Sequence, residues 1–325
     1  MRTITVALGE KTYNIEIAAG LLDQIGAKAR VLSQAVKAAI ISDSNVDPLY
    51  GERLERSLAA SGFEVTRIVF AAGEQSKNLT VLGQVYDELA RAGLTRSDLI
   101  LTLGGGVPGD LGGFAAATFL RGIDFIQVPT SLLAQIDSSV GGKVAIDLPS
   151  GKNLAGSFYQ PKAVFIDPDL LKTLPLRFLH DGLAEAIKYG CIRDAGLFAQ
   201  IAAVKSDQEL LEQADIIIET CCNIKARIVE KDEFDTGERM LLNFGHTIGH
   251  AIEKCCGFTT YTHGEGVGIG MVQMTRQTEK LGLTAAGTAE ELSRVLKKFA
   301  LPVSAVFDAQ EILQAMALDK KKSGK

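Results

Sequence analysis

Four polar residues with chemically useful side chains lie close together between positions 237 and 253. They are Arg239, Asn243, His246 and His250, and they are separated by four, three and four positions. On a helix with about 3.6 residues per turn, these steps place all four on one stripe. Imidazole, guanidinium and amide groups suit a metal ion and an anionic substrate better than they suit an apolar core. The sequence therefore predicts a helical binding site here, and the alternative is a stripe that faces solvent.

The histidines favour the site over the solvent-facing stripe. The chain has only four histidines, and three of them, His246, His250 and His263, fall within eighteen positions. A catalytic zinc usually has three protein ligands and one open position. His246 and His250 could share one ion, but no Glu follows His246, so the metalloprotease form of this motif is absent. Further candidate ligands are His263 and Glu185, and spacing alone leaves open which three residues bind.

The elements that must position these residues change character along the chain. An alternating segment at 3–17 predicts an opening β-hairpin. Apolar segments at 37–42, 64–70, 98–103 and 123–128 then alternate with helical patterns at 50–60, 79–92 and 109–117. Such alternation predicts βαβ units and a mostly parallel sheet. Ligands of these sheets bind beyond the carboxyl ends of the strands, where this chain has four polar loops: Asp43–Asn45, Gly73–Lys77, Gly104–Asp110 and Pro129–Ser131.

The second half of the chain has almost no strand signal. Helical patterns cover 208–231, 237–254, 264–281 and 289–299. We therefore predict an α/β domain over residues 1–174 and an all-helical domain over residues 175–325.

A glycine loop follows the third strand of the alternating half. Gly104, Gly106 and Gly109 match Gly-x-Gly-x-x-Gly between a strand and a helix. Glycines there let the backbone approach a pyrophosphate, and the helix N-terminus favours its charge. The usual fingerprint belongs to the first βα unit, so the loop predicts a dinucleotide site of unspecified subtype. The alternative is a tight structural turn.

A second glycine-rich segment, at 135–153, shows little helical or strand periodicity and is predicted to be a long functional loop. It contains Gly141-Gly142-Lys143 and Gly151-Lys152-Asn153. Lysines beside glycines can meet a phosphate without a bulky neighbour between them, although each lysine alone is equally typical of a surface charge.

Composition limits the classes of function. The chain has 325 residues, 46% of them hydrophobic and 22% charged, with a formal net charge of −5. This charge argues against general binding to nucleic acids or anionic membranes. No apolar run reaches the roughly 18–20 residues of a membrane span, and no signal peptide is recognised. We expect the five cysteines, at 191, 221, 222, 255 and 256, to be reduced and buried, as in a cytoplasmic protein.

Several long segments resemble the 3-dehydroquinate synthase family of the sugar phosphate cyclase superfamily. The resemblance extends from the first hairpin to Lys322, and its motifs occur in the family's order at 104–110, 113–118, 132–143, 151–153, 184–188, 242–253 and 263–265. It implies a Rossmann-like NAD-binding α/β domain followed by an all-α metal-binding domain. Members usually continue beyond the position of Lys325, which implies a chain that is shortened or incomplete at this end.

The resemblance implies a carbon–oxygen lyase that needs NAD and zinc and causes no net redox change. The expected reaction converts 3-deoxy-D-arabino-heptulosonate 7-phosphate to 3-dehydroquinate and phosphate. It proceeds through transient oxidation, β-elimination of phosphate, reduction, ring opening and an intramolecular aldol step. This reaction belongs to the shikimate pathway of aromatic amino-acid biosynthesis. We expect a cytoplasmic homodimer. It is expected to bind a small phosphorylated sugar acid and to bind neither nucleic acid nor a membrane.

Site residues carry over from the family's motifs. The metal, Zn²⁺ with Co²⁺ as an alternative, is expected on Glu185, His246 and His263, which leaves His250 for proton transfer. Further catalytic side chains are expected to be Lys143, Lys188, Lys225, Arg239 and Asn243. Substrate contacts are expected from Arg121, Asp137, Lys152, Asn153 and either Lys320 or Lys321. Asp137 is also expected beside the nucleotide.

NAD contacts are implied along several segments that follow strands or lie near them. The expected residues are Asp43, Asn45, Gly73, Glu74, Gln75, Ser76, Lys77, Gly105, Gly106, Val107, Pro108, Gly109, Asp110, Thr130, Ser131, Lys143, Lys152, Leu170, Leu171, Lys172 and Thr173.

The chain departs from the family pattern at a few positions. Pro108 replaces a β-branched residue and has no N–H to donate, which the first turn of a helix tolerates. Gly266 and Gly268 stand where relatives often have Ala, at a helix cost of about 1 kcal/mol each.

Three other functions share parts of this pattern. They are a related cyclase that acts on a heptulose phosphate without a carboxylate, a polyol dehydrogenase of the same general fold, and a non-catalytic binding protein derived from the enzyme. Asn153, Asn243 and the tail lysine are retained, which favours the substrate with a carboxylate. The complete set of expected ligands and lysines argues against loss of catalysis.

Overall fold

The computed structural model describes residues 1–255 and 260–305. The chain divides into two compact units, of which the first comprises Met1–Leu174 and Leu211–Phe234. The second comprises Pro175–Leu210 and Asp235–Lys325. This division differs from two contiguous domains, because the segment 211–234 groups with the first unit.

The core of the first unit is a seven-stranded sheet. Its strands are β1 Arg2–Val6, β2 Tyr13–Ile17, β3 Lys37–Asp43, β4 Glu64–Phe70, β5 Leu99–Gly104, β6 Asp124–Pro129 and β9 Ala163–Ile166. They lie in the order β1-β2-β9-β6-β5-β3-β4; the opening hairpin pairs β1 with β2 antiparallel, and every other neighbouring pair is parallel. Its helices are α1 Ile25–Leu32, α2 Glu52–Ala60, α3 Leu79–Arg91, α4 Gly106–Thr118 and α8 Ala214–Lys231. The predicted α/β class is confirmed.

Apolar strands with both faces covered hold this sheet together. In β5, Leu101 lies in one apolar cluster with Leu54 of α2, and the next residue back, Ile100, lies in another cluster with Leu111 of α4. A strand that is buried on both faces reads as a continuous apolar run, as β5 does. The sheet therefore fixes where its strands end, and so where its loops begin.

Helix α8 belongs to the first unit because its side chains bond to that unit's elements. Arg2 of β1 forms an ion pair of 3.0 Å with Asp215 and a second ion pair with Glu219. Cys222 Sγ donates to the carbonyl of Gln135 at 3.2 Å. Helical periodicity predicts a helix at these positions but gives no information about the unit on which it packs.

The segment predicted as a long loop forms a β-hairpin. Strands β7 (Lys143–Leu148) and β8 (Gly151–Phe158) pair antiparallel as a separate two-stranded sheet. Val144 and Ile146 point into the apolar cluster of α4. A Cβ on Gly113 would lie 2.4 Å from Val144 Cγ1, so this hairpin approaches α4 closely only because position 113 is glycine. The alternation in β7 covers too few residues to stand out in the sequence.

Every regular element described in the second unit is helical, as predicted. The helices are α5 Leu176–Ile192, α6 Ala195–Ala203, α9 His246–Cys255, α10 His263–Lys280 and α11 Thr288–Lys298, while the short α7, Asp207–Glu212, spans the border with the first unit. Across the parts of the chain that the structure describes, no helix combines the length and apolar character that crossing a membrane would need.

Candidate active site

The predicted single helix over 237–254 is interrupted in the structure. A short 3₁₀ helix covers Glu238–Asn243, and α9 starts afresh at His246. Between them Gly245 has a φ of 83°, a left-handed conformation that glycine adopts without the usual steric cost. Arg239 and Asn243 are therefore not on the same α-helix as His246 and His250, and the expectation of one four-residue helical stripe was wrong.

Glycines allow α9 and α10 to approach each other closely. A Cβ on Gly270 would lie 2.0 Å from the carbonyl oxygen of Gly245, and a Cβ on Gly249 would lie 2.9 Å from the carbonyl carbon of Gly266. These distances are too short for any side chain, so backbone packs directly on backbone. The approach brings the imidazoles of the two helices together.

Three side chains from three helices converge at this contact. Glu185 of α5 points its Oε1 atom to within 3.5 Å of His246 Nε2 and 3.3 Å of His263 Nε2. Two ligand atoms that bind one tetrahedral zinc at about 2.0–2.1 Å lie about 3.3–3.4 Å apart. The donor spacing and the O, N, N chemistry therefore fit a divalent metal such as zinc, and we call Glu185, His246 and His263 the metal-ligand cluster.

The cluster combines a buried carboxylate with an imidazole that is neutral near pH 7. Glu185 is fully buried, and Lys188 Nζ lies 2.5 Å from its Oε2 atom. Burial lowers the pKa of His246 to about 3, so this ring is neutral near pH 7. Its Nδ1 atom lies 3.3 Å from the carbonyl oxygen of Phe244. Donation from Nδ1 to that oxygen would leave the Nε2 lone pair directed toward Glu185.

His250 lies beside this cluster but is exposed. Its ring centroid is 5.3 Å from that of His246 and 5.8 Å from that of His263. His250 also belongs to a second group of donors, with Glu253 and His263, whose ligand atoms all lie within 4.8 Å of one another. The geometry thus offers two overlapping sets that share His263, and the assignment of His250 to proton transfer stays a prediction.

The other predicted residues of the second unit differ in accessibility. Arg239 is buried and Asn243 is exposed, although both lie on the 3₁₀ helix before α9. Lys188 is almost completely buried against Glu185. Lys320 and Lys321 lie outside the described residues, so their expected contact with substrate stays a prediction.

Two residues that the sequence did not single out as site residues also hold the cluster together. Glu253 Oε1 lies 3.1 Å from His263 Nδ1, and Asp181 accepts the backbone N–H of Gly264 at 2.5 Å. A signal was present for both, since Asp181 precedes Glu185 by one turn of α5 and Glu253 follows His250 by three positions in α9. Their target, the start of α10, is distant in sequence.

In the first unit, the glycine loop lies at the carboxyl end of β5. Gly105 immediately precedes α4, whose first turn contains no acidic residue. A Cβ on Gly105 would lie 3.4 Å from Ser131 Oγ, and a Cβ on Gly106 would lie 3.6 Å from Ser138 Oγ. This space, next to the N–H groups of a helix N-terminus, fits a phosphate-containing cofactor. Pro108 lies within the first turn of the helix, where its missing N–H is tolerated.

Several other predicted nucleotide residues surround a buried lysine. Lys77 Nζ bonds to Asp110 Oδ2 at 2.5 Å and to Asn153 Oδ1 at 2.6 Å. Burial alone would lower the pKa of Lys77, but the charges of Asp110 and Glu74 raise it above its usual value. Lys152 lies 3.5 Å from Glu74 across the same region. The hairpin of β7 and β8 thus brings 152–153 to the loop at 73–77.

The remaining predicted loops also lie at strand ends. Asp43 ends β3 and accepts the backbone N–H groups of Asn45 and Val46. Thr130 donates its N–H to the carbonyl of Gly104 at 2.9 Å, which joins the ends of β5 and β6. Residues Leu170, Leu171, Lys172 and Thr173 lie on a 3₁₀ helix that follows β9.

Lys225 and Asp137 meet within the first unit. Lys225 of α8 donates to the carbonyl of Asp137 at 2.6 Å and also forms an ion pair with its carboxylate. Lys225 and Asp137 are far apart in sequence and are neighbours because α8 packs on this unit. Lys143, at the start of β7, is exposed.

Arg121 lies away from the glycine loop. It follows the last turn of α4 and precedes the first residue of β6, so it lies at the amino end of the strands. The 13 residues of α4 at about 1.5 Å each place it roughly 20 Å from the loop. Its φ is 69°, and that of Leu120 is 53°. The structure does not bring Arg121 together with the nucleotide residues of the same chain.

The expectation of uniformly buried cysteines was only partly correct. Cys221 and Cys222 are buried, whereas Cys191 and Cys255 are exposed. None of these four is in a disulfide, and Cys256 lies outside the described residues.

Comparison with known proteins covers almost the whole chain. Residues 67–181 match the family model described as 3-dehydroquinate synthase N-terminal, and residues 182–322 match the one described as 3-dehydroquinate synthase C-terminal. The 3-dehydroquinate synthase of Clostridium acetobutylicum is 53% identical over 326 residues, which cover 100% of this chain and 92% of that protein.

Solved structures of related proteins have the same architecture. One is 2-epi-5-epi-valiolone synthase from Streptomyces hygroscopicus with NAD⁺ and Zn²⁺ bound, with a TM-score of 0.88 and 28% identity, covering 98% of this chain and 89% of that one. Another is 2-deoxy-scyllo-inosose synthase complexed with carbaglucose-6-phosphate, NAD⁺ and Co²⁺, with a TM-score of 0.83 and 25% identity, covering 97% and 86% of the two chains.

Proposed function

The chain belongs to the 3-dehydroquinate synthase family, and from this premise we propose that it catalyses the family's reaction. It converts 3-deoxy-D-arabino-heptulosonate 7-phosphate to 3-dehydroquinate and phosphate, with NAD and a divalent metal as cofactors. The single observation that carries the proposal is the metal-ligand cluster, in which one carboxylate and two imidazoles from three helices have the donor spacing of a zinc site. The polyol dehydrogenase alternative is not supported by the two family models that match the chain, which are both those of 3-dehydroquinate synthase.

The two cofactors supply the chemistry that side chains cannot. When bound, NAD⁺ accepts and returns a hydride, and Zn²⁺ polarises substrate oxygens as a Lewis acid. Glu185, His246 and His263 would hold the metal. The segment Gly105–Asp110 and the N-terminus of α4 would hold the pyrophosphate of NAD.

Proton transfer is assigned to His250. It is exposed, unlike the buried Glu185, and its ring lies within 6 Å of both histidines of the metal-ligand cluster. An imidazole is a side chain suited to take and return a proton at physiological pH. His250 therefore serves as the general acid–base, while the cluster positions the substrate.

Binding of the two anionic groups of the substrate is assigned to basic and amide side chains. Arg239 and Asn243, just before α9, suit the carboxylate, and Lys143, Lys152 and Asn153 of the hairpin suit the phosphate. Asn153 has a φ of 54°, a conformation that Asn tolerates better than most residues. Retention of Asn153 and Asn243 favours the acid substrate over a heptulose phosphate that lacks the carboxylate.

Arg121 supports a homodimer. Because it lies at the amino end of the strands, roughly 20 Å from the glycine loop, it does not join that loop within one chain. We therefore propose that Arg121 contacts the substrate bound to a second copy of the chain. We also place the enzyme in the cytoplasm, in the shikimate pathway.

The test is to measure phosphate released from 3-deoxy-D-arabino-heptulosonate 7-phosphate with Zn²⁺ present and NAD⁺ below the enzyme concentration. We expect many phosphates per NAD⁺ and no net NADH. A heptulose phosphate without a carboxylate serves as the matched control and should release little phosphate. Faster turnover of that control would assign the chain to a related cyclase, and net NADH formation from a polyol would assign it to a dehydrogenase.

A further inference from the structure

His263 has both of its ring nitrogens directed at carboxylates. Nε2 lies 3.3 Å from Oε1 of Glu185, and Nδ1 lies 3.1 Å from Oε1 of Glu253. Glu185 belongs to the metal-ligand cluster, but Glu253 lies on the opposite side of the ring. The only ring nitrogen of His263 directed toward Glu185 and His246 is therefore Nε2.

Metal binding and the contact with Glu253 together determine which nitrogen carries the hydrogen. A metal bound at Nε2, beside Glu185 and His246, would leave the one ring hydrogen on Nδ1. A carboxylate accepts hydrogen bonds and donates none when it is ionised, so that hydrogen is donated to Glu253. Imidazole ligands of metals commonly have such a partner, which sets the tautomer and the ring orientation.

The surroundings show that Glu253 is built into this position. It is 3% exposed on α9, and a buried carboxylate is costly without a partner. A Cβ on Gly266 would lie 3.4 Å from Glu253 Cγ and 3.5 Å from its Oε1 atom. Glycine at position 266 therefore leaves the room in which the Glu253 side chain lies against α10.

The backbone of His263 is held independently of Glu253. Thr262 and Glu265 form a capping box at the start of α10, and Asp181 accepts the N–H of Gly264. Arg177 binds Glu265 with two hydrogen bonds of 2.9 Å. The start of the helix is thus fixed by other groups, and what remains for Glu253 to control is the rotation of the imidazole ring.

We propose that Glu253 is a positioning residue that orients His263 for metal binding through the hydrogen bond to Nδ1. The inference rests on the proposed metal site and adds a residue that acts through a ligand. The competing role is direct ligation, because His250, Glu253 and His263 form the second group of donors. The two roles predict different absorption spectra for bound Co²⁺.

The experiment measures Zn²⁺ affinity of the full chain by competition with a chromophoric chelator. We expect Glu253→Ala to weaken Zn²⁺ binding by about 10- to 100-fold, the usual effect of removing such a partner. Glu253→Gln should recover much of the loss, because its amide oxygen still accepts the Nδ1 hydrogen. The matched control is Glu290→Gln, which removes one negative charge from an exposed position of α11 in the same unit and should change affinity less than threefold.

Spectra of the Co²⁺-loaded proteins distinguish positioning from ligation. Under our proposal the Co²⁺ absorption bands of Glu253→Gln keep the wild-type positions, because the ligands are unchanged. Shifted bands in that variant would make Glu253 a ligand and overturn the positioning role. Wild-type Zn²⁺ affinity in Glu253→Ala, with His246→Ala binding poorly, would also overturn it. If the wild-type chain itself binds no Zn²⁺, the proposed function fails instead.

Discussion

The glycine loop of the first unit and the metal-ligand cluster of the second unit are built in opposite ways. The loop uses backbone N–H groups and missing side chains within Gly105–Asp110, all contributed by one short segment. The cluster uses side chains from α5, α9 and α10, which come together because α9 and α10 pack backbone to backbone. A site made of backbone is thus specified locally, whereas a site made of side chains depends on how helices pack.

The largest expected effect tests the division of roles within the cluster. His246→Ala should lose Zn²⁺ and activity together, because it removes one of three ligands. His250→Ala should retain Zn²⁺ and lose about 10²- to 10⁴-fold in kcat, the usual contribution of a general acid–base group. Metal content after gel filtration and kcat with saturating Zn²⁺ provide the measurements. Equal loss of zinc in both variants would mean that the two histidines bind the metal together.

The next effect tests whether helix packing builds the cluster. Gly270→Ala should lower the free energy of unfolding by about 1–3 kcal/mol, the usual cost of overpacking, and should weaken Zn²⁺ binding as well. The cause is the 2.0 Å separation between the new Cβ and the carbonyl oxygen of Gly245, which forces α9 and α10 apart. Urea unfolding and chelator competition measure the two quantities.

Gly268→Ala is the matched control on the same helix. Its Cβ would lie 3.4 Å from Leu296 Cδ2, an ordinary van der Waals contact. Replacing glycine inside a helix should then stabilise the protein by up to about 1 kcal/mol and leave Zn²⁺ affinity unchanged. Equal effects of the two alanines on metal binding would contradict the assignment of the packing contact.

The smallest effect is expected in the glycine loop. Gly105→Ala should weaken NAD⁺ binding about tenfold, or about 1.4 kcal/mol, because its Cβ occupies space expected for the pyrophosphate. Stability should change little, since the nearest atom would be Ser131 Oγ at 3.4 Å. Calorimetric titration with NAD⁺ measures the loss, and unchanged Zn²⁺ affinity is the control. A variant that binds NAD⁺ normally would move the nucleotide away from this loop.

The same contrast explains what the sequence could predict. The parallel sheet and its loops at strand ends follow from local patterns, and most of them are present in the structure. The break at Gly245 was missed, because a φ of 83° is required by the contact with α10 and not by neighbouring residues. The family resemblance, through the motif at 184–188, assigned Glu185 to the metal together with two histidines. Spacing alone left open which three residues bind.

Two other misses have the same cause. The hairpin of β7 and β8 is stabilised by packing on α4, where Gly113 leaves room for Val144. Asp181 and Glu253 act on the start of α10, which is distant from both in sequence. In each case the partner, and not the local pattern, determines the structure.

Helix α8 has a consequence for the order in which this protein forms. The first unit consists of residues 1–174 together with 211–234, so the ribosome must synthesise 36 residues of the second unit, 175–210, before α8 emerges. Domains generally fold as units as the chain emerges, but here the nascent first unit lacks Lys225, the partner of Asp137, until that stretch has passed. A chain truncated after residue 174 would leave Arg2 of β1 without Asp215 and Glu219. Residues 1–174 alone therefore lack part of the first unit.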